Sequence, residues 1–142
     1  MLKLFIMEKE REIIEVFYTR CLTVNTVTNV GETLDIILAG NFISNGSVES
    51  KNKEQLTGQI ESFWKLIPDL KWEPQEIINE GSRFVVRSIA SGTPNGDFMG
   101  LPTNGSKSFK IMTIDIHTFV NERIVSVRHL EDWPTALKQL KQ

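Results

Sequence analysis

The apolar residues of this chain change their repeat once. Up to Ile67 they recur at three- and four-residue steps, and from Arg83 onward they alternate. The first spacing lines up side chains along one face of a helix; the second lines them up on one face of a strand. Helices first and strands afterwards exclude an alternating βαβ fold and leave a layered α+β domain. Ile13, Ile14, Phe17, Cys21 and Val24 predict one helix face between Glu8 and Val24. Asn29 with Glu32 three residues later reads as a capping pair. It opens a short helix with Leu34, Ile37 and Leu38 on one side, which Gly40 is placed to end. Residues 41–50 read as a loop. Leu56, Ile60, Phe63, Trp64 and Ile67 predict a third helix over 50–67, stopped by Pro68.

The back half reads as antiparallel strands. Lys71–Ile78 carries Pro74 and is expected at a sheet edge. Glu80–Gly81 is a turn, and Arg83–Ser91 alternates with Phe84, Val86 and Ser88 on one face. Residues 92–106 hold four glycines and two prolines and predict a long loop, a candidate lid. Lys107–Val120 is the longest strand candidate, turning at Asn121–Glu122 into 123–130. Trp133-Pro134-Thr135 opens a short terminal helix.

No repeat or linker divides the chain, so residues 1–142 form a single domain of common size. Residues 1–7 are apolar but too short to span a bilayer, and they lack a signal-peptide cleavage site. Disorder there and a start at Met7 are both left open. Sixteen basic and eighteen acidic residues give a net charge of −2, which argues against a nucleic-acid partner. With no other apolar run, no membrane partner is expected, and the default is a soluble cytoplasmic protein. The single cysteine, Cys21, excludes an intramolecular disulfide and a zinc site with two or more thiolates. Two histidines without nearby carboxylate spacing do not make a metal site.

Three segments carry a resemblance when taken together in order and spacing: Phe63…Ile67-Pro68-Asp69-Leu70, Gly92-Thr93-Pro94-Asn95-Gly96-Asp97-Phe98-Met99-Gly100-Leu101-Pro102, and Ile114-Asp115-Ile116…His129-Leu130-Glu131-Asp132-Trp133. They resemble the SnoaL-like polyketide cyclase (ester cyclase) family of the nuclear transport factor 2-like superfamily, over about residues 8–141. The resemblance implies a cone-shaped α+β roll, with three N-terminal helices packed on a curved, mostly antiparallel sheet and a short C-terminal helix. It implies a pocket for a small hydrophobic molecule, a homodimer, and no metal or organic cofactor. It also implies intramolecular aldol chemistry, in which a carboxylate removes a proton next to a carbonyl, so that cyclisation, isomerisation or dehydration of a hydrophobic carbonyl compound is expected. The family's His-x-x-Asp pattern matches His129 and Asp132. Two positions depart from it. Pro94 stands where relatives often carry a histidine, and Asn45 stands where another titratable pocket residue is common.

Each candidate also has a plainer reading. Asp132 as general base competes with Asp132 as N-cap of the terminal helix, a role Asp fills well. If it is a cap, a non-catalytic small-molecule-binding module becomes the leading reading, with a dimerisation module of the same fold behind it. His129 can orient Asp132 or act as an acid, but residues three apart on a regular strand face opposite sides. His117 reads as a partly exposed structural side chain. Arg87 and Arg128 can serve an anionic substrate or oxyanion, or form salt bridges and dimer contacts. Phe42, Phe63, Trp64, Met99, Met112 and Ile114, with Asn45, are the candidate ligand-binding residues, and plain core packing is the alternative. Cys21 on a buried helix face is a small hydrophobe.

Overall fold

The computed structural model describes residues 2–142. Helix α1 (Leu2–Val16) continues into a π-helical turn, Phe17–Cys21, and buries Ile14, Phe17, Tyr18 and Cys21. Residues 2–7, where disorder was left open, are helical. Helix α2 (Val30–Ile37) begins as expected: the Asn29 side chain accepts from the Glu32 backbone N–H. Helix α3 (Lys53–Leu66) starts at a reciprocal capping box between Asn52 and Gln55. Helix α4 is Trp133–Lys141, with Pro134 in its first turn. No helix among the described residues is long and apolar enough to cross a membrane.

Six strands form one sheet in the order β2-β1-β8-β7-β4-β3. They are β1 (Leu38–Asn45), β2 (Ser50–Asn52), β3 (Lys71–Glu80), β4 (Arg83–Gly92), β7 (Phe109–Val120) and β8 (Arg123–Glu131). A separate two-stranded hairpin, β5 (Asp97–Phe98) and β6 (Leu101–Pro102), lies between β4 and β7 in the chain. All pairs in the large sheet are antiparallel except β1 with β8. The sheet is curved and not closed. Its inner face packs on the helices, and the core runs between the two layers.

Two expectations change. Residues 38–45, read as a helix end and a loop, are strand β1. Its Leu38, Phe42 and Ser44 are buried, and β8 satisfies the backbone. The glycine-rich stretch is not a plain loop, because Phe98 is fully buried and stacks on Phe109 at 5.6 Å. Gly92 permits that stretch to leave the sheet beside the end of α3: a Cβ there would stand 2.3 Å from Ile67 Cγ2. Pro74 does sit on an edge strand, next to a register shift between Pro74 and Glu76. Asn121 and Glu122 both take positive φ (51° and 60°), matching the two-residue hairpin turn that joins β7 to β8.

Candidate functional site

A cavity of about 320 Å³ lies between α3 and the inner face of the sheet. That is the small end of the range for ligand pockets. Leu56, Ile60 and Phe63 of α3 form one wall, joined by Phe17 and Leu22 at the end of the first helix. Trp72, Trp133 and Met99 close the far side, and Gly46–Glu49 and Lys51 form the rim. Trp133 is an aromatic hub, with ring centroids 5.8–6.3 Å from Phe63, Trp72, Phe98 and Phe109.

The floor is polar. Asp115 on β7 and His129 on β8 are directly opposed across the ladder, and Thr113 opposes Glu131. Inward-facing residues alternate along both strands, so these four share the pocket face. Asp115 is 4% exposed, and its Oδ2 accepts from the Tyr18 hydroxyl at 2.5 Å. Burial pushes its carboxyl up to about 7; Glu131 adds to the rise, while the Tyr18 hydrogen bond and His129 oppose it. His129 Nδ1 and Glu131 Oε2 are 2.7 Å apart, and Trp133 Nε1 donates to Glu131 Oε1 at 3.2 Å. The Glu131 hydrogen bond raises the imidazole above its ordinary value, against the effect of burial. Asp115 Oδ1 and His129 Nε2 have no hydrogen-bond partner among the described residues. Gly46 lies against the imidazole, where a Cβ would stand in ordinary contact with it, 3.4 Å from His129 Nε2.

Asp132 stands outside this arrangement. It is exposed, and its Oδ1 accepts from the Thr135 backbone N–H at 3.3 Å as the N-cap of α4. Strand β8 ends at Glu131, so nothing turns Asp132 back toward His129. Phe63 and Met99 line the cavity as expected. Phe42 is buried in the core instead, and Trp64 donates its indole N–H to the Cys21 carbonyl at 3.0 Å. Asn45 Nδ2 donates to the Val127 carbonyl at 3.4 Å. Arg87 pairs with Glu76 on the outer face of the sheet. Met112 and Ile114 also lie on that outer face, 50% and 43% exposed, away from the cavity. Pro94 is buried in the glycine-rich stretch, where its carbonyl accepts from Gly105.

His117 is not partly exposed. It is fully buried, with Nε2 2.7 Å from the Tyr18 hydroxyl, and burial lowers its imidazole to about 3. Cys21 is buried, and its thiol is pushed up to about 12, so it is not a nucleophile. Among the described residues no group of three or more His, Cys, Asp or Glu is placed to hold a metal ion.

The sequence reading missed Asp115, Tyr18, Glu131, Trp72 and Trp133. One signal was present: on β7, Thr113, Asp115 and His117 share a parity with Ile111 and Phe119. A charged residue in register with core residues marks either a site or the solvated face, and parity alone does not say which.

A curved sheet packed on helices, with a cavity between the two layers, defines the fold class. Within that class, the SnoaL-like polyketide cyclase family model matches residues 14–140, and the chain belongs to that family. Among curated proteins none matches the chain. Solved structures share the fold. A candidate SnoaL-like polyketide cyclase from Jannaschia sp. CCS1 is 16% identical with a TM-score of 0.82, covering 94% of this chain and 92% of that one. IdmH from Streptomyces antibioticus, named as a candidate polyketide cyclase, is 22% identical with a TM-score of 0.79, covering 94% and 99%. A protein of ketosteroid isomerase-like fold from Catenulispora acidiphila is 14% identical with a TM-score of 0.73, covering 92% of each chain.

Proposed function

We propose that this protein is a cofactor-independent acid–base enzyme acting on a small, uncharged, apolar carbonyl compound. The observation that carries the reading is the opposition of Asp115 and His129 on the floor of an apolar cavity, with Oδ1 and Nε2 unpartnered. A general base works best with a pKa near the operating pH, and Asp115 is lifted to about 7. Asp115 takes the proton from the carbon next to the carbonyl. The C–H electron pair moves into the carbonyl, and His129, protonated and paired with Glu131, donates a hydrogen bond to the enolate oxygen. The enolate then attacks a second carbonyl carbon of the same molecule, closing a ring, and the Asp115 proton passes to the new alkoxide. No arginine lines the cavity, and its lysine, Lys51, pairs with Glu49 at 3.0 Å, which favours an uncharged ligand.

The test is exchange of α-protons into D2O for a panel of small apolar β-keto esters, read by proton NMR. Exchange is expected with the native chain and at least ~10²-fold slower with Asp115→Asn. Equal rates in the two proteins overturn the mechanism. The capping role of Asp132, with Pro94 and Asn45 at altered positions, favours the second reading, a pocket that binds without turnover. That reading expects ligand to raise Tm by mass action with no exchange.

A second copy of this chain is the proposed cover for the outer face of the sheet. Ile78, Met112, Ile114, Ile116 and Leu130 are 36–64% exposed there, and large exposed apolar patches mark interaction sites. Glu73, Glu76, Arg87 and Arg128 surround the patch with both signs of charge, as a self-complementary face requires.

A further inference from the structure

We propose that Tyr18 and His117 are positioning residues for Asp115. In this view they form a one-way hydrogen-bond chain that keeps Oδ2 occupied and leaves Oδ1 as the oxygen that exchanges protons with the pocket. The inference rests on the acid–base reading of the site, which makes no use of either residue.

The chain direction follows from counting protons. Tyr18 has one hydroxyl hydrogen and two neighbours, Asp115 Oδ2 at 2.5 Å and His117 Nε2 at 2.7 Å. It can donate to only one of them. His117 Nδ1 is buried with no partner at all. Suppose the tyrosine donates to His117. The imidazole then carries its hydrogen on Nδ1, and a buried N–H donor is left unsatisfied, which native structures rarely tolerate. In the opposite arrangement, His117 Nε2–H donates to Tyr18, Tyr18 donates to Asp115, and only a lone pair on Nδ1 goes unpaired. A doubly protonated ring would bury both a charge and an orphan donor, and burial drives the imidazole to the neutral form. The second arrangement is therefore the stable one.

Packing holds the chain in place. The rings of Phe17, Tyr18 and His117 meet edge-to-face with centroids 5.3–5.6 Å apart. Tyr18 sits in the π-helical turn that follows α1, and His117 shares the inner face of β7 with Asp115. The groups facing Asp115 are Tyr18 from the helical side, His117 on its own strand, and His129 and Glu131 from β8. On β4 its partner is Val86, which carries no charge. A phenol donating to the carboxylate favours the charged form and holds the carboxyl plane fixed. Without that donor, Asp115 keeps its burial and loses its main support.

Two readouts test the proposal without needing a substrate. Long-range nitrogen–proton NMR on the native chain should show His117 as the neutral Nε2–H tautomer, unchanged from pH 5 to 9. An Nδ1–H tautomer, or a His117 midpoint near 6.5, overturns it. Carbon-13 labelling of aspartate carboxyls, with Asp115 assigned by its loss in Asp115→Asn, gives the Asp115 midpoint directly. Tyr18→Phe should move that midpoint up by about 1–2 pH units, the effect of losing one hydrogen bond to a charged group. His117→Leu should move it less but in the same direction, and His117→Gln, which restores a donor, should return it toward the native value. An unchanged midpoint in Tyr18→Phe overturns the proposal. If Tyr18→Phe fails to fold, the tautomer measurement on the native chain still decides. If the midpoint moves while no carbonyl compound exchanges protons, the hydrogen-bond chain stands and the enzymatic reading falls.

Discussion

The middle of β7, residues 112–117, inverts the usual alternation of an antiparallel strand, while Phe109, Ile111 and Phe119 keep it. Antiparallel sheets commonly bury an apolar face and solvate a polar one. Here the inner face carries Thr113, Asp115 and His117, all buried, and the outer face carries Met112, Ile114 and Ile116, all exposed. Both departures cost stability when taken alone. A buried polar group must be hydrogen-bonded, and Trp72, Tyr18 and Asp115 supply those bonds: Trp72 Nε1 donates to Thr113, and Tyr18 bridges Asp115 and His117. An exposed apolar face is economical only if something covers it. We propose chemistry for the inner face and contact between copies for the outer one.

The two histidines sharpen the comparison, because both lie on the inner face and their surroundings separate them. His117 is fully buried with the Tyr18 hydroxyl against Nε2, and burial drives it far below its ordinary value. His129 sits at the pocket floor with Glu131 against Nδ1, and the hydrogen bond outweighs desolvation and lifts it. One imidazole is a fixed dipole and the other a titrating group, a difference that residue type alone does not reveal.

The largest expected effect comes from the inner face. Asp115→Asn should cost at least ~10²-fold in α-proton exchange and at the same time raise stability at pH 8. The folded carboxyl titrates at about 7 against an ordinary 3.8, so the folded state holds a proton that the unfolded state has lost between those values. The native chain therefore loses stability as pH rises from about 4 to about 7, and the amide variant does not. Thermal melts of both proteins at pH 4 and pH 8 check this: a Tm gain for the variant at pH 8 only is the expected pattern.

On the outer face, Ile114→Glu should weaken self-association by about 30-fold or more, the effect of losing ~2 kcal/mol at a central contact. Sedimentation at graded concentrations measures it, and a chain that is monomeric throughout removes the outer-face proposal. Glu131→Gln should lower the His129 midpoint in an imidazole NMR titration, because it removes the first cause of its rise. It should also shift the alkaline limb of the exchange profile downward. The smallest effect belongs to Asp132→Asn. Asn caps a helix about as well as Asp, so Tm and exchange should stay within error of the native chain. A ~10²-fold loss of exchange in that variant would return the base role to Asp132.

Much of the architecture was legible because it rests on local rules. The Asn29 cap, the stop at Pro68, the edge position of Pro74 and the tight turn at Asn121–Glu122 all depend on a few adjacent residues. Strand β1 was not legible. Its partner β8 lies some eighty residues away and pairs in parallel, which no short window reports. Candidate site residues divided the same way. Phe63 and Met99 were found through an apolar helix face and a glycine-rich stretch. Met112 and Ile114 were candidates only as apolar residues of a long strand, which does not say which parity faces inward, and theirs faces outward.

By itself the sequence determined the order of helices before strands, the caps and turns that bound them, and the family to which the whole belongs, because these depend on neighbours in the chain and on the order of motifs. Tertiary structure alone decided which parity of β7 faces the cavity and that Asp132 spends its carboxylate on the helix cap. It also decided that Tyr18, from the first helix, meets Asp115 ninety-seven residues later. The reason is physical: hydrogen-bond pairing and desolvation act between groups brought close in space, and a carboxylate's chemistry follows from what surrounds it rather than from what precedes it in the chain.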